Sequence, residues 1–332
     1  MYSKNQKTFS LKLLLVTVLV SFAGLSFIAC STPEIDTAST GSNDGTRGCG
    51  IPVSKGVITS PLLSVLTLNM AHGRKDSFNQ MFQKASTTRR NLEEIADFLV
   101  HSGADLIALQ EADSPSRWSG KFDHVEFVSE KSAYPCRIHA SHAHKYMYDF
   151  GTALLSHVPY TNSLKHTFAP SPPTTNKGFV MGEVLWNPDG RLAEAIPVSV
   201  ISVHLDFSRK KVREAQIKEM RTLLPDITSP FIILGDFNTD WSKDESVLRS
   251  IVNNENLNVY QPESEELGTY KDGKHRLDWI LISKDLEFVS YQVSQNVLSD
   301  HMPVQATVQL VEISDQERDS KLIKSISENG HD

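Results

Sequence analysis

Hydrophobic runs in this chain end repeatedly on residues that carry charge or can bind metal. Asn69 closes LSVLTLNM (63–70), Gln110 and Glu111 close DLIALQEA (105–112), and His204 and Asp206 close IPVSVISVHLD (196–206). Asp236 and Asn238 follow the run FIILG, Asp278 opens LDWILIS (277–283), and Ser299, Asp300 and His301 stand just before PVQATVQLVEI (303–313). Carboxylates and imidazoles are rarely buried without a partner or a metal, so this set at the termini of apolar strands converges on one rim. Taken singly, each has an ordinary reading: Asn69 or Asp300 as a cap, GDFN as a turn in which glycine supplies a positive φ, His204 as a satisfied core histidine. Taken together, the oxygen donors Asn69, Glu111, Asp236, Asn238 and Asp300 suit Mg²⁺, Mn²⁺ or Ca²⁺ rather than Zn²⁺, and the histidines beside them suit proton handling and phosphate contact. No phosphate-cradling glycine loop, GxSxG, HExxH or CxxC pattern competes.

Such residues need a scaffold of strands. Besides the runs above, GTALLS (151–156) and GFVMGEVLW (178–186) read as strands, and helices are expected at about 87–101 and 209–223. Continuous Val/Ile/Leu runs alternating with helices predict an α/β domain whose strands are buried on both faces. Folded sequence is expected to begin near Leu62. Residues 31–60, rich in Ser, Thr, Gly, Asp and Asn, read as a flexible tether, and the charged stretch 314–332 as a fraying tail. A catalytic domain then spans 61–313.

Three lysines precede the apolar run LLLVTVLVSFAGLSFIA, which ends at Cys30, so residues 1–30 have the layout of an export signal. FIAC resembles a bacterial lipobox, in which the cysteine is acylated. The expected location is therefore the cell envelope, anchored to the lipid membrane through Cys30 and facing the periplasm or exterior, or secretion if Cys30 is not acylated. In that oxidising setting Cys49 and Cys136 are either a disulfide or two unrelated thiols. The formal net charge of −7 becomes −10 once the lysines of residues 1–30 are removed. A phosphate-bearing substrate must then be held locally rather than gathered by bulk positive field.

The motifs TLNMAHG (67–73), ALQEAD (108–113), VHLD (203–206) with Arg213 and Gln216, ILGDFN (233–238), TY (269–270) with HRLDWILIS (275–283), and SDHMPV (299–304) resemble, in order, those of the endonuclease/exonuclease/phosphatase (deoxyribonuclease I-like) superfamily. The resemblance covers about 65–304. It implies a four-layered α/β sandwich, two mixed sheets packed face to face with helices outside. It also implies a Mg²⁺-dependent phosphoester hydrolase. Glu111 would be the principal metal ligand, with Asn69 and Asp300 near the metal or phosphate. Asp236 would orient or deprotonate the attacking water, and Asn238 would hold that water or a phosphate oxygen. Asp278 would accept a hydrogen bond from His301, while His204 and Tyr148 would contact the phosphate. Which of Asp236 and His301 moves the proton is left open by the motifs.

Substrate choice must come from the segments 113–150 and 157–178. The first reads as a loop holding Trp118, Tyr134, His139, His142, His144, Tyr146 and Tyr148; its histidines are either solvated or a phosphate or metal contact. His72 and Arg74 are either a second phosphate contact or solvated. The run Arg209, Lys210, Lys211, Arg213 reads as a solvated helix face, with Arg213 and Gln216 as alternative braces of the site. VLWNPDG (184–190) is a conceivable exposed hairpin, or Trp186 is core. Expected partners are a nucleic acid, a phospholipid headgroup or a small phosphoester, met by a monomer. A second reading keeps the fold in a lipoprotein that binds a partner without catalysis. The filled motif positions favour the enzyme.

Overall fold

The structure is a computed structural model, and it describes residues 49, 56–77, 83–189, 195–224, 230–241 and 245–311. The signal-like segment, nearly all of the tether and the charged tail lie outside the described residues. The strands are β1 (Val57–Ile58), β2 (Leu63–Asn69), β3 (Leu106–Asp113), β4 (Cys136–Lys145), β5 (Tyr148–Ser156), β6 (Asn162–Thr167), β7 (Gly178–Trp186), β8 (Ile196–His204), β9 (Phe231–Asp236), β10 (Asn258–Val259), β11 (Asp278–Ile282), β12 (Leu286–Val293) and β13 (Val304–Leu310). The helices are α1 (Ala85–Ser102), α2 (His124–Lys131), α3 (Lys210–Leu223) and α4 (Glu245–Asn254). One sheet runs β12-β13-β2-β3-β5-β4 and the other β1-β7-β8-β9-β11-β10, with β6 also paired to β7. Both are mixed: β2 and β3, β8 and β9, and β1 and β7 pair in parallel, and the remaining neighbours run antiparallel.

The strand sequences read as unbroken apolar runs because both of their faces are covered. Side chains alternate across a strand, so Val65, Leu106 and Ala108 turn inward against Val198, Val200, Ile232, Leu234 and Ile280 of the facing sheet. Their neighbours Leu66, Leu68, Ile107 and Leu109 turn outward onto Leu92, Ile95 and Leu99 of α1 and Val125 and Val128 of α2. On the opposite side Ile201, Val203, Ile233, Trp279 and Leu281 meet Ile217 and Met220 of α3 and Val247, Leu248 and Ile251 of α4. The result is a four-layered α/β sandwich. α1 stops at Gly103, whose left-handed φ of 61° turns the chain into β3.

Several expectations are corrected. The folded part starts before Leu62: Val57 and Ile58 pair with Leu185 and Trp186, so the tether gives way to a short edge strand by residue 57. Trp186 is fully buried in the inter-sheet core and donates from Nε1 to the Ser60 carbonyl at 2.7 Å, so it is no exposed hairpin tip. The expected loop 113–150 is mostly regular structure, comprising α2, β4 and the start of β5. Two of its histidines, His139 and His142, are taken up within the fold, while His144 stays exposed to solvent, as the solvated reading has it. The His139 ring meets the Ala112 carbonyl at 3.0 Å, His142 lies between the hydroxyls of Thr167 and Thr152 at 3.0 and 2.9 Å, and His144 pairs with Asp149 at 2.8 Å. Cys49 and Cys136 form a disulfide, with Cα atoms 4.4 Å apart, that ties residue 49 to the start of β4.

Candidate active site

Register alone brings the central polar residues abreast. In the second sheet His204 lies beside Asp236 on parallel strands, and Asp236 lies beside Asp278 on antiparallel ones. Asn69 ends β2 in the other sheet, and face-to-face packing lets its Nδ2 donate to Asp236 Oδ2 at 3.0 Å. The remaining Asp236 oxygen accepts the Asn238 backbone N–H at 2.9 Å. Gly235 lets β9 lie close against β8 just before Asp236: its φ is 148°, and a Cβ there would sit 2.1 Å from the Val203 carbonyl oxygen.

Around Asp236 stand the two histidines. His301 Nδ1 is 2.8 Å from Asp278 Oδ2, which also accepts the Thr269 hydroxyl at 2.6 Å, and His301 Nε2 lies 3.9 Å from Asp236 Oδ2. The Tyr270 ring covers His301 with centroids 4.7 Å apart. His204 Nε2 is 3.4 Å from the same Asp236 oxygen. Asn238 adopts a φ of 50° and donates from Nδ2 to the Leu205 carbonyl at 3.0 Å, which leaves its side-chain oxygen and one N–H for another partner.

Glu111 sits at a bulge in β3, where pairing with β5 shifts between Gln110 and Ala112 and its own φ is 49°. The extra residue re-aims the carboxylate, a common use of bulges beside active sites. Its side chain remains 21% exposed and lies 3.2 Å from His72 Nε2. Asp300, 28% exposed, pairs with Arg74. Tyr148 packs on Trp118 and Phe150, with centroids 4.7 and 5.5 Å apart, in an aromatic wall on the His72 side of the cleft.

Electrostatics divides these groups. Burial pushes Asp236 up to about 7, with Asp278 adding to the rise while His301 and the Asn69 amide oppose it. Burial pulls His301 down, but Asp278 and Asp236 outweigh it and raise the imidazole to about 10. His204 is driven well below its usual value by burial and by Lys177, so it is neutral. Burial acts to raise Glu111, yet the charges of His72, Lys177 and His301 hold it well below the carboxylate range, so it is ionised.

The sequence reading missed part of this site. Lys177 is buried just before β7, lowered by desolvation and sustained by Glu111, Asp236 and Asp206. Its only signal was a lysine directly preceding a largely apolar strand. His72 is not solvated: it is pinned by Asp113 at 2.8 Å, and Arg74 is taken by Asp300. Arg213 and Gln216 take the bracing role that was the alternative to a solvated face: buried Arg213 donates to the Asp206 carbonyl at 3.0 Å, and the Gln216 side chain accepts the Asp206 N–H at 2.9 Å.

Two groups could hold a cation. Donor atoms of Asp236, Asp278 and His301 lie within 4.8 Å of one another. All three residues are buried, and His301 already joins the two carboxylates, so this trio reads as a proton-handling unit. Glu111, ionised and partly open to the cleft with Asn69 and Asp300 nearby, is the better place for a hard divalent ion.

The pH profile of a reaction run by this cluster follows from these signs. An Asp236 base is active when deprotonated and a His301 cation when protonated, so kcat/KM should rise through about pH 7 and fall near pH 10. In Asp278→Asn both limbs should move to lower pH, because the lost carboxylate raises both groups. Limbs that stay in place would show that other groups titrate.

Residues 66–301 match the Endonuclease/Exonuclease/phosphatase family. No curated protein shows a significant match. Among solved structures, an endonuclease/exonuclease/phosphatase family protein from Leptotrichia buccalis is 20% identical, with a TM-score of 0.58 over 75% of this chain and 100% of that one. The human Nocturnin catalytic domain with bound sulfate is 18% identical, TM-score 0.55, over 78% of this chain and 99% of its own. The mannosyl-6-phosphatase Bt3783 of Bacteroides thetaiotaomicron is 15% identical, TM-score 0.53, over 75% and 100%. Profile and architecture agree: the chain belongs to the Endonuclease/Exonuclease/phosphatase family.

Proposed function

We propose that this protein is a divalent-metal-dependent phosphoester hydrolase. The observation that carries the proposal is the Asp278–His301–Asp236 unit, assembled from strand ends and loops of both halves of the sandwich beside an ionised Glu111. An attacking water held by Asp236 and Asn238 gives its proton to the Asp236 carboxylate as the new P–O bond forms and the bond from phosphorus to the leaving-group oxygen breaks. His301 keeps its own proton throughout, so it serves as a cationic donor to a phosphoryl oxygen and not as the base. That division makes Asp236 the base in this reading and His301 the charged donor. Neutral His204 offers an N–H to the phosphate or the leaving oxygen, and Lys177 adds positive charge opposite the developing negative charge. Glu111, with Asn69 and Asp300, would hold the ion, whose chemistry is charge neutralisation and polarisation of the phosphoryl group.

The acidic surface and local cations favour a small phosphoester or a headgroup over a long polyanion. A sugar-phosphate phosphatase among the structural neighbours supports the same direction. The reading of residues 1–30 as a lipoprotein signal completes the proposal, with the domain held at a membrane through acylated Cys30. Mass spectrometry of the N-terminal peptide from bacterial membranes should show acyl mass on Cys30, and an unmodified N-terminus downstream of it would remove that part.

The chemistry is tested with the domain beginning at Ser31, assayed with and without Mg²⁺ or Mn²⁺ against sugar and inositol phosphates, sphingomyelin, RNA, plasmid DNA and a chromogenic phosphodiester. Turnover of one natural substrate that is abolished by chelation, and reduced about 10²- to 10⁴-fold in Lys177→Met and His301→Gln, is the expected result. A folded protein that turns over none of them would favour the non-catalytic lipoprotein.

A further inference from the structure

A second carboxylate–histidine pair reaches the same cleft from the other side of Glu111. Asp113, at the end of β3, is fully buried, and its Oδ2 is 2.8 Å from His72 Nδ1. The opposite ring nitrogen, Nε2, lies 3.2 Å from Glu111 Oε2. The imidazole is therefore strung between two carboxylates, one sealed in the protein and one open to the cleft.

The backbone is bent to achieve this. Ala71 and His72 are consecutive non-glycine residues in the left-handed region, with φ of 44° and 55°, and Glu111 faces them with a φ of 49°. Such conformations are strained and persist only where the surroundings over-determine them. They are over-determined here. Asn69 Oδ1 accepts the Ala71 N–H at 3.0 Å, and the Gly73 carbonyl accepts from the side chains of Gln83 and Asn91 at 2.9 and 3.0 Å. The edge of the ring is packed by Phe150, with centroids 4.6 Å apart, and beyond it by Trp118 at 6.1 Å.

A buried carboxylate on one imidazole nitrogen fixes the ring and its tautomer, so that the other nitrogen, once its proton is given up, is a directed donor of an electron pair. Neighbouring donor atoms in an octahedral shell with bonds of about 2.1 Å lie about 3 Å apart, close to the separation of His72 Nε2 and Glu111 Oε2. We propose that His72 is a nitrogen ligand of the divalent cation held at Glu111, with Asp113 as its positioning residue. The proposal rests on the metal-dependent reading above. It gives the site a mixed nitrogen and oxygen donor set, which accepts Mn²⁺ more readily than Mg²⁺.

The probe is Mn²⁺ itself. Electron spin-echo envelope modulation of the Mn²⁺-loaded protein should show a directly coordinated ¹⁴N in the parent, and the coupling should vanish in His72→Gln and His72→Ala. Titration of Mn²⁺ should show affinity falling by tenfold or more in His72→Ala and by about 10- to 100-fold in Asp113→Asn, with circular dichroism confirming that each variant is folded. Mn²⁺ bound in a Glu111-dependent way without ¹⁴N coupling, or with coupling that survives in His72→Gln, would overturn the assignment of His72 and leave the metal site standing. Absence of any Mn²⁺ binding that Glu111→Gln removes would overturn both.

Discussion

Asp236 and Asp278 lie side by side on neighbouring antiparallel strands, both almost wholly buried. Two carboxylates so placed repel each other and lose hydration, and the interior gives little back unless a cation and hydrogen-bond donors stand with them. The structure supplies these from distant parts of the chain. His301 arrives from the segment before β13, Asn69 from the end of β2, Thr269 from the loop before β11, and the Asn238 N–H from the turn after β9. This concentration of buried charge is a poor way to stabilise a fold. It is a good way to set a base near neutrality beside a persistent cation, and the rest of the sandwich is arranged so that it can exist.

The two sheets make the arrangement possible. Each brings its strand ends to the same rim, and the inter-sheet core of aliphatic side chains holds them at a fixed distance. Polar ties continue the junction inward: Thr67 donates to Gln110, whose amide donates to Ser202 of the facing sheet. Asp206 accepts bonds from Thr174, Ser208 and the Arg209 N–H, so the segment leading to Lys177 is tied to the end of β8. The cleft is thus bounded by groups whose own positions are fixed by a further layer of hydrogen bonds, the condition for electrostatic preorganisation.

Most of the rim could be read from the chain because each of its members interrupts an apolar run: Asn69, Glu111, His204, Asp236 and Asp278 stand out where a buried strand should continue. The helices at α1 and α3 were legible for the converse reason, an apolar stripe bounded by polar sequence. What escaped lacked such contrast. β4, CRIHASHAHK, alternates small and polar residues and so reads as loop, although its histidines find partners on neighbouring strands and loops. His72 looks like a solvated turn residue until its partner Asp113, 41 positions away, is brought beneath it. Lys177 is one basic residue among many, and only the closed sandwich shows that its charge is buried among carboxylates.

The central claim is that Asp236 is kept in this buried cluster for chemistry and not for stability. The most direct test measures, on the same preparations of parent and Asp236→Asn, the urea unfolding midpoint and Mn²⁺-dependent hydrolysis of bis(p-nitrophenyl) phosphate. The substituted amide would keep an acceptor for Asn69, lose the one for the Asn238 N–H and remove one of two repelling charges, so the midpoint should change little while turnover falls by about 10²- to 10⁴-fold. Turnover equal to the parent's, with a lowered midpoint, would mean that the carboxylate serves the fold and would contradict the account.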